Sequence, residues 1–355
     1  MKTVIFIVPS IDDSHYKNRI IEFIENGYDV NVYGFCRHEK KRNLPYKYKV
    51  LGNIENASYI NRIKLYIEVF KRIGREYKHQ NVVFYLCGLD IAMFFHFINP
   101  KYKYIYEECD LVHTYMGGLK YPLEWIDKII MKKSLLTVTT SEGFINYHFQ
   151  GVKPANVFLV ENKLNPTILN YKIERKSFDK ENLSIGFVGA PRFESVYNFI
   201  DVFCRYFPKY SFHIYGGPVT DHFKTLEKYK NCYFHGYFNN PDDLPKIYGS
   251  IDLVLSTYDT KYENVRYAEP NKIYESIYFE KPIIVSSNTF LAEKVKRLGI
   301  GYDVDPMNEE QIIHFINELS VEKINTINES SKAIDKKNTL NINDKFFERI
   351  KIHLM

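Results

Sequence analysis

Short apolar runs rich in Val, Ile, Phe and Tyr alternate with helical stretches along the whole 355-residue chain. No other feature constrains the fold as strongly. Near-continuous apolar strands separated by helices build parallel sheets that are covered on both faces. In the first half the strand candidates are Val4–Val8, Asp29–Phe35, Val82–Cys87, Lys103–Glu108, Leu135–Thr140 and Val157–Asn162. Helical periodicity predicts helices over Asn18–Gly27 and Asn61–Lys78 between them. After a polar stretch the alternation restarts, with strands expected at Leu183–Gly189, Ser211–Gly217, Cys232–Phe238, Ile251–Thr257 and Lys281–Ser287. A chain of this length is long for one core. The expected fold class is therefore α/β, with two tandem doubly wound domains and an interdomain cleft at the carboxyl ends of the strands. Residues 1–165 read as the first domain, 166–182 as a linker and 183–335 as the second domain. Residues 336–355 read as a C-terminal amphipathic helix packing back on the first domain.

Composition narrows the class. No apolar run is long enough to span a bilayer. The opening "MKTVIFIVPS" reads as a buried strand and not a signal peptide, because no small-residue cleavage site follows. Five scattered cysteines without a C-x-x-C pair argue against a disulfide framework or a zinc site and fit a reducing cytoplasm. The net charge of +5 sits in residues 1–170, which hold 23 Lys and Arg against 17 Asp and Glu. The basic runs are Arg37–Arg42, Lys71–His79 and Met131–Lys133. Such runs suit a solvated face, or a peripheral contact with anionic lipid or a phosphate-bearing acceptor. No nucleic-acid motif is present.

The stretch "AEPNKIYESIYFEKPIIVSS", Ala268 to Ser287, carries the clearest chemistry. Pro270 suits the first helical position, where its missing N–H costs nothing. The first-turn N–H groups that follow point outward at the positive end of the helix dipole, a ready seat for a phosphate. Lys272 adds a mobile charge at that end, and Glu275 lies about one turn further in. Phosphates at one point and hydroxyls a few ångströms away describe a nucleoside diphosphate attached to a sugar.

The segments "IGFVGAPRFESVYNFIDVFCRYFPKYSFHIYGGP", "CYFHGYFNNPDDLPKIYGSIDLVLST" and "EPNKIYESIYFEKPIIVSS" stand in order and register. They resemble the C-terminal domain of family 4 glycosyltransferases, in a Pro-Asn-Lys subgroup of bacterial surface-polysaccharide type. "ENGYDVNVYGF" and "VTTSEGFINYHF" extend the resemblance into the first half. It implies two Rossmann-like domains of the GT-B fold and a nucleoside-diphosphate-sugar donor. It also implies an acceptor hydroxyl, retention of anomeric configuration and no metal. Carried onto this chain, Glu275 would bind the donor ribose, and Arg192 and Lys272 would clamp the diphosphate. Gly189 would allow close approach of phosphate, and Tyr237 or Phe238 would stack on the base or pack. Glu269 and Asn271 complete the donor side. Tyr267 stands where the family has the first of two glutamates.

On the acceptor side the resemblance expects a histidine where this chain has Cys109, followed by Asp110 as a catalytic candidate. His15, Glu108 and His113 are the remaining acceptor-side candidates. The loop after the first strand, usually glycine-rich, is "PSIDDSHYKNR" here. The implied setting is assembly of a capsule or O-antigen on a lipid-linked acceptor, in the cytoplasm or peripherally on the inner face of the plasma membrane. Two other readings share the architecture: a nucleotide-sugar 2-epimerase and a catalytically silent GT-B binding subunit. A dehydrogenase is disfavoured, since no G-x-G-x-x-G follows a strand.

Overall fold

The computed structural model describes residues 2–11, 13–36, 44–54, 59–173 and 178–354. The basic run Arg37–Arg42 lies outside the described residues. The chain forms two compact units, one of residues 1–160 and 343–355, the other of residues 161–342.

The first unit is built on seven parallel strands. They are β1 (Thr3–Val8), β2 (Asp29–Cys36), β3 (Tyr48–Asn53), β4 (Val82–Cys87), β5 (Tyr104–Glu108), β6 (Leu136–Thr139) and β7 (Val157–Leu159). Their order is β3-β2-β1-β4-β5-β6-β7, so the winding reverses between β1 and β4. Alternate residues of each strand feed opposite faces. Ile5, Ile7, Phe84 and Leu86 pack under Tyr66, Phe70 and Phe95. Val4, Phe6, Val83 and Tyr85 pack under Ile20, Phe23 and the C-terminal helix Asp344–Leu354. That helix sets Phe346 and Phe347 edge-on to Phe23, with ring centres 6.1 and 5.1 Å apart.

The second unit holds six parallel strands. They are β8 (Ser184–Val188), β9 (Ser211–Tyr215), β10 (Cys232–Gly236), β11 (Leu253–Ser256), β12 (Ile283–Ser286) and β13 (Gly301–Val304). The order β10-β9-β8-β11-β12-β13 reverses between β8 and β11. In open α/β sheets that reversal is where ligands bind, beyond the carboxyl ends of the strands. The segment Pro166–Asn170, within the expected linker, is a short 3-10 turn whose Ile168 is wholly buried in this unit's core.

Two strands escape the sequence pattern. β3 is an outer strand with one buried position among six, and β13 reads Gly-Tyr-Asp-Val. Both are edge strands, where half-exposed positions dilute the apolar signal. The first helices also begin earlier than periodicity suggests, at Ser14 and Tyr59.

Phe23 bridges the first sheet and the C-terminal helix, so Phe23→Ala should destabilise the first unit by about 3–5 kcal/mol. Urea unfolding followed by circular dichroism measures this. A loss below about 1 kcal/mol would mean that the aromatic cluster does not hold that helix.

Candidate nucleotide site and a polar cluster at the end of β5

The second unit's site begins with backbone geometry. Gly189 follows β8 with φ +143°, and its N–H donates to the Tyr215 carbonyl at 2.7 Å. Gly216, at φ +128°, follows β9, and a Cβ there would strike the Gly189 carbonyl. Two strand ends meet here backbone to backbone, which only glycine permits. A Cβ on Gly189 would lie 3.1 Å from Lys272 Nζ. The ammonium thus occupies the notch that the missing side chain leaves, 5.4 Å from the centre of the Phe187 ring.

Lys272 opens the helix Lys272–Phe279, and no side chain caps that helix. Pro270 stands two residues before it, and its carbonyl accepts the Ile273 N–H at 3.3 Å. The helix therefore starts one tight turn later than the proline suggests, and some first-turn donors already have partners. Lys272 is 8% exposed, so it is a held charge and not the mobile one expected.

Glu275 lies buried one turn behind. One carboxylate oxygen accepts from the Tyr248 hydroxyl at 2.5 Å, the other from Asn271 Nδ2 at 2.7 Å. A carboxylate has lone pairs beyond these two. Burial pushes its pKa up, and Lys272 and the Tyr248 hydrogen bond oppose that. Tyr248 is itself fully buried, stacked on Phe279 at 4.6 Å. Nothing local in "LPKIYGS" marks it, since its partner is 27 residues away.

The other donor-side candidates fall in three settings. Glu269 is buried against Lys294 Nζ at 2.7 Å, and Lys294 also binds Glu161 at 2.9 Å and the Tyr274 hydroxyl at 3.2 Å. Glu161 is half-buried, which raises its carboxyl, yet Lys294 holds it down at about 2. Glu269 thus anchors the Pro-Asn-Lys loop to the next helix, Phe290–Leu298. Arg192 is exposed in the loop after β8, with its guanidinium 5.0 Å from the Phe193 ring. Tyr237 is 79% exposed and covers Gly217, whereas Phe238 packs into the core beside Tyr248. Of that pair, Tyr237 is the ring open to a ligand.

In the first unit, alternation along β5 sends two adjacent glutamates to opposite faces. Glu107 meets His15 Nε2 at 3.0 Å and Arg19 Nη2 at 3.4 Å. His15 sits in the first turn of the helix Ser14–Glu25, where Asp13 caps the end by accepting the His15 N–H at 2.9 Å. Burial alone would raise the Glu107 carboxyl, but Arg19 and His15 outweigh it and hold it down at about 2. Burial disfavours the charged His15 ring, yet Glu107 lifts its pKa above the ordinary value. Cys109 Sγ lies 3.6 Å from His15 Nε2. The chain thus brings an imidazole to Cys109 from 94 residues away. Burial pushes the pKa of the Cys109 thiol well above its ordinary value.

Glu108 points the other way and accepts from His148 at 2.8 Å. Asp127, on the helix Lys120–Lys133, lies in the same cluster and faces His113 Nδ1 at 3.5 Å. His113 Nε2 is 3.3 Å from the Tyr147 hydroxyl. Burial and Asp127 raise the Glu108 carboxyl against the pull of His148. Glu108 and His113 are both fully buried. Both of these acceptor-side candidates lie beneath the loop after β5, and neither is open to solvent. Asp110 is exposed on that loop, and His15 is partly open.

Residues 172–339 match the family model of glycosyl transferases group 1. Solved structures agree on the fold over the whole chain. Sucrose-phosphate synthase from Thermosynechococcus elongatus is 11% identical, with a TM-score of 0.75 and all of both chains covered. Anabaena HepE, solved with UDP and glucose, is 15% identical, with a TM-score of 0.71, 99% of this chain and 100% of its own covered. The lipopolysaccharide outer core galactosyltransferase WaaB is 14% identical, with a TM-score of 0.66 and 99% of both chains covered. No curated protein matches the chain. The fold is therefore GT-B, as the sequence resemblance implied, and the glycosyltransferase match lies on the unit that holds Gly189, Lys272 and Glu275.

The Glu107 cluster makes a pH prediction. A depressed folded-state pKa gives stability that is present above the ordinary value of 4.5 and lost as the pH falls toward about 2. Glu107→Gln should remove up to roughly 3 kcal/mol of that acid-sensitive stability from the first unit. Denaturant melts of parent and variant between those two pH values measure the difference. Parallel acid losses in the two proteins would contradict the assignment.

Proposed function

We propose that the chain is a glycosyltransferase that moves a sugar from a nucleoside-diphosphate-sugar donor to an acceptor hydroxyl. The observation that carries this is the pairing of Lys272, seated in the Gly189 notch, with the buried Glu275 one turn behind it. The family match over the same residues supports it. In this reading Lys272 and Arg192 offset the charge that grows on the departing diphosphate. They supply the positive charge, so no metal ion is assigned to the diphosphate. Glu275, oriented by Tyr248 and Asn271, accepts from the ribose hydroxyls. Tyr237 offers its exposed ring to the base.

On the acceptor side, His15 takes the place of the histidine that the resemblance expects at position 109. Glu107 orients it, and Asp110 completes the open edge of that loop. Attack from the face of the leaving group gives retention. The leaving phosphate accepts the hydroxyl proton. A lipid-linked acceptor in surface polysaccharide assembly, met by a protein peripheral to the membrane, belongs to the same reading. It draws support from the similarity in fold to WaaB, a lipopolysaccharide outer core galactosyltransferase.

Calorimetric titration with UDP, GDP, ADP and CMP should find one nucleotide that binds. Lys272→Ala and Glu275→Ala should each weaken it by about 1–3 kcal/mol. Circular dichroism checks that both variants fold. The donor sugar of that nucleotide should then be released slowly without acceptor. Unchanged nucleotide affinity in both variants would overturn the site, and formation of an epimer would overturn the reaction.

A further inference from the structure

The helix Lys120–Lys133 shows two contrasting faces. Asp127, Ile130 and Met131 turn inward and are buried. On the outer side Tyr121 is 75% and Trp125 66% exposed, and Leu119, at the helix start, is 62% exposed. Lys128, Lys132 and Lys133 follow, all exposed. Tyr121, Trp125, Lys128 and Lys132 are spaced by four, three and four residues, so they share one helix face. The acid beside them, Glu124, is neutralised by Lys128 at 2.8 Å. Tyr115, in the turn before the helix, is also exposed.

Single exposed apolar residues need no explanation, but adjoining large ones on a basic helix do. Tryptophan and tyrosine are amphipathic rings that settle at the headgroup level of a bilayer. Lysines on the same helix are drawn to anionic lipid. Among the described residues no helix is long and apolar enough to cross a membrane. The composition is that of a helix lying in the interface plane.

We propose that this face docks the first unit on an anionic lipid bilayer. Leu119, Tyr121 and Trp125 enter the headgroup region, and Lys132 and Lys133 meet lipid phosphates. This deepens the membrane element of the proposed function and needs nothing from the nucleotide site. The helix is fixed from within through Asp127 and His113. Docking would therefore hold the loop after β5, which carries Asp110, close to the lipid surface. A lipid-borne acceptor would arrive at that loop.

Trp125 is the chain's only tryptophan, so its emission reports on the face without a label. Mixing the full chain with phosphatidylcholine–phosphatidylglycerol vesicles should shift that emission to the blue and carry the protein into the vesicle pellet. Pure phosphatidylcholine should do so far less, and added salt should release the protein. Lys132→Glu/Lys133→Glu should cut partitioning at least about tenfold. Leu119→Ser/Tyr121→Ser should remove the blue shift while keeping the reporter. All four positions are exposed, so circular dichroism and nucleotide affinity should not change. A failure here is thus distinct from a failure of the nucleotide site. Unshifted emission with protein left in the supernatant would overturn the proposal. So would equal binding to neutral vesicles, or variants that bind as the parent does. An aqueous protein partner would give the first of those results.

Discussion

Gly189 and Gly216 let the ends of β8 and β9 touch backbone to backbone, and much of the second unit depends on that contact. A side chain at either position would push the strand ends apart or expel Lys272. With both absent, an ammonium sits at the carboxyl edge of the sheet, beside the reversal of winding between β8 and β11. A buried lone lysine is costly unless its charge is compensated. Here the compensation comes from the Phe187 ring face and from Glu275 one helical turn away. The carboxylate is fixed in turn by Tyr248 and Asn271. Lys294 ties the start of the loop to Glu161 and to the following helix. Both buried carboxylates of the site, Glu269 and Glu275, are thus held by side chains behind them.

The first unit uses a different device. The pleat of β5 splits Glu107 from Glu108 and builds a separate ion cluster on each face of the sheet. Arg19 and His15 keep one carboxylate charged, while burial beside Asp127 raises the pKa of the other. The two clusters grip the loop after β5 from both sides. Cys109 follows the two glutamates, and burial raises the pKa of its thiol. An imidazole does stand beside Cys109, whose position the resemblance gives to a histidine, and it comes from His15 in the first turn of the helix Ser14–Glu25. The helix that supplies Asp127 inward also presents Trp125 outward, so one element serves the buried cluster and the proposed lipid face together.

The alternation of apolar strands and helices was enough to read two doubly wound sheets from the sequence, because buried parallel strands leave little choice of residue. The edges were not legible. β3 and β13 are partly exposed, and their polar positions hide the pattern. Within the site, the Pro-Asn-Lys loop stood out because its residues are consecutive. Tyr248, Lys294, Asp127 and His148 did not, since each reaches its partner across a long stretch of chain and has no local signature. Burial also changed what the legible residues do. Lys272 is held where a mobile charge was expected, and Glu108 and His113 are wholly buried.

A crystal structure with the nucleoside diphosphate that the chain binds would test the central claim most directly. The account predicts the outer phosphate within hydrogen-bonding distance of Lys272 Nζ at the Gly189 notch, with a ribose hydroxyl on Glu275. A diphosphate bound elsewhere, with Lys272 still folded over Phe187 and Glu275 bonded only to Tyr248 and Asn271, would contradict it.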